Sequence, residues 1–99
     1  MTVLHVTESS EIALSNGTVY VDTSGGSVTL LLRSGGGELT ICKTSADSNV
    51  VALYCPDGCI GRGEIMIFGL PPHARISKGK ATTVVLRGHG PNWKVVRMM

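Results

Sequence analysis

Ninety-nine residues with nine Lys and Arg against seven Asp and Glu, a formal net charge of +2, suffice for one small domain spanning 1–99 and exclude two. At 42% hydrophobic, 16% charged and 4% aromatic, the core is thin and the surface short of charge, which points to subunit contacts. Thirteen glycines among many Val, Ile, Leu, Ser and Thr argue against helices, because β-branched side chains suit a pleated surface and glycine weakens a helix interior. No basic-then-apolar leader and no run of ~20 apolar residues is present, so the expectation is a soluble chain made in a cytosol, with no membrane partner.

In chain order, period-two alternation predicts strands over Val3–Val6 and Ile12–Leu14, then Thr18–Asp22 and Ser27–Leu32. Asn16-Gly17 and Gly25-Gly26 read as tight hairpin turns, since these residues accept positive φ. Glu38–Lys43 and Val50–Tyr54 follow, separated by Ala46-Asp47-Ser48-Asn49. Cys55-Pro56-Asp57-Gly58-Cys59 is a turn into a strand at Glu64–Phe68. Pro71-Pro72 forbids helix, Ala74–Ser77 reads as extended, and Thr82–Arg87 with Asn92–Arg97 forms a closing pair about Gly88-His89-Gly90-Pro91. On that pair, alternation places Trp93, Val95 and Arg97 on one face, with Trp93 in the core. The fold class is all-β: a compact antiparallel β-sandwich, barrel or β-prism of about 8–10 short strands with essentially no helix. No internal repeat of fixed period is found, so a solenoid of stacked copies is not expected.

Three cysteines do not make a disulfide framework, and a reducing compartment keeps them as thiols. Cys55 and Cys59 bracket a turn and leave a cross-turn disulfide open. With Cys42 and either His73 or His89 they are weak zinc candidates, lacking the paired knuckles of structural sites. His5, His73 and His89 sit in separate stretches without a nucleophile signature, and the seven acids mostly flank turns, so no catalytic residue, metal or cofactor is assigned. Neither Ser34-Gly35-Gly36-Gly37 nor Gly58–Gly63 leads into a helix that would hold a phosphate.

Charge is unevenly spread. Every acid lies at or before Glu64, whereas Arg75, Lys78, Lys80, Arg87, Lys94 and Arg97 follow without one. A single-strand nucleic-acid binder interleaves such a strip with aromatic platforms, but Trp93 is the sole aromatic beyond Phe68. Nucleic acid is therefore not the expected partner. A solvated face or docking on an acidic protein surface remains, with Arg75, Lys78, Lys80 and Arg87 as the docking candidates.

Asn16–Leu30 with its Val21-Asp22-Thr23-Ser24-Gly25-Gly26, Leu39–Asn49 with Ile41, Lys43, Ser45 and Asn49, Thr83–Leu86, and the closing Gly90-Pro91-Asn92-Trp93-Lys94-Val95 together resemble a module of bacteriophage tail-fibre and capsid-decoration proteins. The chain departs from that module at Arg33–Gly37, where relatives carry a proline- or alanine-rich piece, and Cys55–Pro72 has no counterpart. The resemblance implies a stiff, non-enzymatic all-β unit, often trimeric, that builds or decorates virions. The chain's expected partners are then copies of itself, with a trimer favoured, and the major capsid protein or another virion protein. Its expected place is the virion, and the host cytoplasm during assembly. The second expectation is a receptor- or carbohydrate-binding tail-fibre module, which requires Tyr20 or Tyr54 exposed beside Asp57 or Asn49.

Overall fold

A computed structural model describes residues 2–12, 16–33, 35–45, 47–61, 63–69 and 82–98. Among them are nine strands and no helix: β1 (Val3–Val6), β2 (Ser10–Ile12), β3 (Gly17–Val21), β4 (Val28–Leu32), β5 (Glu38–Lys43), β6 (Val51–Tyr54), β7 (Ile65–Phe68), β8 (Thr83–His89) and β9 (Asn92–Met98). The all-β reading holds, and the strand positions follow the alternation closely except at β2, which shares only Ile12 with the expected Ile12–Leu14, whose other two residues lie outside the described ones. The segment Ala74–Ser77 lies outside the described residues.

Strand pairing differs from the antiparallel expectation. A five-stranded sheet runs β1-β3-β5-β8-β9 and a four-stranded sheet β2-β4-β6-β7. The first six strands pair in parallel, β1 with β3, β3 with β5, β2 with β4 and β4 with β6. Each turn carries the chain across to the other sheet, and each new strand lies beside one laid down a coil earlier. Asn16-Gly17 and Gly25-Gly26 are therefore corners between sheets, not hairpin turns. Coils do stack, despite the missing sequence period, because the register steps vary. Val3 meets Thr18 after 15 residues and Gly17 meets Leu39 after 22, while Ser10 meets Leu30 after 20 and Val28 meets Val51 after 23. From β7 onward the chain reverses, so β6–β7, β5–β8 and β8–β9 are antiparallel, the last being the expected closing hairpin. Among the described residues the two sheets do not close into a barrel.

One apolar cluster joins the sheets. Val19, Val21, Leu39, Ile41, Val84 and Leu86 from the five-stranded sheet meet Val28, Leu30, Leu32, Val51, Leu53 and Phe68 from the other. Full burial of a Leu or Val contributes roughly 1.5–3 kcal/mol, so these aliphatic residues supply most of the driving force that four aromatics cannot. Serines tie successive coils together: Ser9 Oγ accepts the Thr29 N–H and Ser27 Oγ the Val50 N–H, both at 3.0 Å. Trp93 closes the core as expected, 2% exposed, with its indole N–H donated to the Arg33 carbonyl at 3.0 Å. A bulge at Val96 then breaks the alternation. Val95 stays opposite Leu86, but Arg97 registers with Val85 and so leaves the face of Trp93 on which it was expected.

Candidate interaction surface

Thr23, Lys43, Ser45, Asp47 and Asn49 meet at one corner of the stack. Thr23, fully buried after β3, donates its hydroxyl to Asp47 Oδ1 at 2.7 Å, lies 2.9 Å from Ser45 Oγ, and donates its N–H to that oxygen. Asn49 Nδ2 donates to the Thr23 carbonyl at 2.7 Å and the Asn49 N–H to Asp47 Oδ1 at 3.1 Å. Lys43, 7% exposed at the inner end of β5, donates to the Asp47 carbonyl at 2.9 Å and sits 3.3 Å from its carboxylate. Gly69, at φ 81°, leaves room for the Lys43 stem; a Cβ there would come 2.7 Å from Lys43 Cδ. The Thr23 hydroxyl, then the Ser45 hydroxyl, the Lys43 ammonium and the Asn49 N–H, hold the Asp47 carboxyl down at about 2 from its ordinary 3.8. Asp22 is lowered too, chiefly by the Ser24 N–H that its carboxylate accepts at 2.9 Å. Apart from Asp47 Oδ2, which is buried without a hydrogen-bond partner among the described residues, these groups are spent on one another, so the motif works as a staple between coils.

The outer face of the five-stranded sheet carries the described part of the basic strip. Register sets Glu38, Arg87 and Lys94 in one row across β5, β8 and β9, and Thr40, Val85 and Arg97 in the next. Arg87 pairs with Glu38 at 3.4 Å across two exposed side chains, a contact worth little in water. Lys94 and Arg97 are exposed and have no ion pair among the described residues. Of the four docking candidates only Arg87 is placed; Arg75, Lys78 and Lys80 lie outside the described residues. The structure instead brings Lys94 and Arg97 onto the face of Arg87. Sequence alternation missed Arg97 because a bulge leaves no composition signal.

Elsewhere the chemistry is sparse. Cys42, Cys55 and Cys59 are free thiols. Cys55, buried, donates its S–H to the Pro91 carbonyl at 3.1 Å, whereas Cys59 is exposed. No group of three His, Cys, Asp or Glu gathers among the described residues. Cys59, Gly61, His89, Asn92, Trp93 and Lys94 line a shallow open cleft of about 320 Å³. Tyr20, 36% exposed, stacks on His5 with centroids 5.4 Å apart. Asp57 pairs instead with Arg33, whose guanidinium is raised mainly by its bond to Glu11, and Asn49 with the Thr23 corner. No family model, no curated protein and no solved structure matches the chain.

Proposed function

We propose that this chain is a non-enzymatic structural module of a bacteriophage virion, a small decoration protein that self-associates and binds the exterior of an assembled capsid. The observation that carries the reading is the convergence of Thr23, Lys43, Ser45, Asp47 and Asn49 on one buried corner. In this reading these residues tie the stack of coils together, and function is left to the surface the stack presents. Arg87, Lys94 and Arg97 offer that surface to an acidic patch, with Arg75, Lys78 and Lys80 as further candidates. A ligand that touches several shell subunits at once binds only the assembled state and stabilises it by mass action.

A second reading, a tail-fibre module that binds a receptor or carbohydrate, rests on the exposed Tyr20–His5 stack alone, because Asp57 and Asn49 are paired elsewhere. Gradient-purified particles from a lysate of the organism that encodes the chain separate the readings. Decoration predicts a copy number comparable with that of the shell subunit, and the tail-fibre reading a few copies per particle. Chain recovered only in the soluble fraction overturns both.

A further inference from the structure

The core of this molecule is open at both ends of its larger sheet. Leu4 and Val6 on β1, and Val95 on β9, pack against the core yet stay partly exposed. The same two strands expose Val3 (46%), Val96 (50%) and Met98 (49%). β1 and β9 are the two edges of that sheet, and edges with exposed apolar side chains are templates for further pairing.

Backbone geometry says which groups are available. Thr2 and Val6 direct their carbonyls to the Thr18 and Asp22 N–H groups. Alternation along a parallel ladder then turns the N–H and C=O of Val3 and His5 toward the free edge. On β9, Trp93 is already bonded to Cys59 and Gly61, so among the described residues the open stretch begins beyond it, at Lys94–Met98. Its five residues are long enough to face the four of β1.

Charge selects the occupant. The first coil, residues 2–12, carries Glu8 and Glu11 and no Lys or Arg, while β9 carries Lys94 and Arg97 and no acid. Glu11 also pairs with Arg33 at 3.4 Å, which leaves Glu8 as the freer charge. We infer that a second copy of this chain docks head to tail, laying its β1 edge on the Lys94–Met98 edge of β9 and continuing the five-stranded sheet across the contact.

Such a contact is heterologous, using two different surfaces, and either closes into a ring, three copies being one solution, or runs on as a filament. It deepens the self-association part of the proposed function. It is tested on purified protein alone, so its failure leaves attachment to particles standing.

Sedimentation velocity over a wide concentration range gives the first readout, with mass rising beyond the monomer expected. Two charge-reversed chains give the second. Lys94→Glu with Arg97→Glu makes both ends acidic and Glu8→Lys makes the head basic, so each alone should associate at least about tenfold more weakly. The equimolar mixture, in which each acidic end of the first finds a basic end of the second, should recover. Val3→Pro removes an outward N–H at the first residue of an edge strand, where proline is tolerated. It should likewise weaken association while Trp93 emission and the far-ultraviolet circular dichroism report an intact fold. A monomer at every concentration, or oligomers indifferent to the charge reversals and to Val3→Pro, overturns the inference.

Discussion

Gly88→Ala tests the packing between the Gly35–Gly37 connection and β8. Gly88 donates its N–H to the Gly37 carbonyl at 2.8 Å, and Gly35 donates to Gly90 at 3.0 Å, so the two backbones run in close contact. A Cβ on Gly88 would lie 2.5 Å from the Gly35 carbonyl oxygen, 2.9 Å from its carbon and 3.2 Å from Trp93 Cη2. The first two obstacles are backbone, so the loop itself must retreat and stretch both hydrogen bonds. Overpacking of this kind costs about 1–3 kcal/mol. For a domain of this size each kcal/mol moves the melting temperature by roughly 4–8 °C, so about 2 kcal/mol lowers it by about 8–16 °C. Thermal unfolding followed by circular dichroism reads the shift, and the emission of Trp93, the sole tryptophan, reports the local displacement. Gly25→Ala is the control, because a Cβ there meets nothing within 4 Å. If Gly88→Ala melts within a couple of degrees of that control, the close approach is wrong.

Acid should unfold the protein partly through Asp47. Its folded value, about 2, lies below the ordinary 3.8, so the carboxylate's stabilisation is complete above the higher value and is lost as pH falls through the lower. Asp47→Asn should be less stable at neutral pH and show a flatter stability curve across that window by fluorescence-detected denaturation. Thr23→Val keeps the shape but removes the leading donor to Asp47. It should melt lower and begin acid unfolding at a higher pH, and an unchanged acid limb would show that Thr23 does not hold that carboxylate. Leu30→Ala, at a fully buried position, should cost about 2–5 kcal/mol in urea denaturation. Under native conditions an alkylating reagent should modify exposed Cys59 first and buried Cys55 only on unfolding, as mass spectrometry after timed quenching would show; equal rates would contradict the buried place of Cys55.

Much of the fold was legible in the chain because burial alternates with period two in either kind of sheet. Glu38–Lys43 and Val3–Val6 match their strands end to end, and Trp93 lies in the core. Pairing direction was not legible. A strand such as β4, with Val28, Leu30 and Leu32 inward, has the same pattern whether its neighbour runs with it or against it. Gly25-Gly26 would serve a hairpin as well as a corner. The deciding contacts, such as Thr23 to Asp47 and Ser27 to Val50, span 24 and 23 residues, and coils of unequal length hide the repeat. The basic row was half visible. Its charges stand in the sequence, but only the bulge at Val96 turns Arg97 toward Val85 and the face of Arg87 and Lys94. The Asp22-Thr23 and Lys43–Asn49 motifs, recognised as a pattern, owe their composition to the staple they build.

The most direct test of the account is the sedimentation of this chain with the particles of its source. In a density gradient of a lysate, quantitative mass spectrometry should find it in the particle band at a copy number comparable with that of the shell subunit. Charge reversal at Arg87, Lys94 and Arg97 should release it to the top of the gradient. Wild-type chain found only at the top, beside intact particles that lack it, would contradict the account.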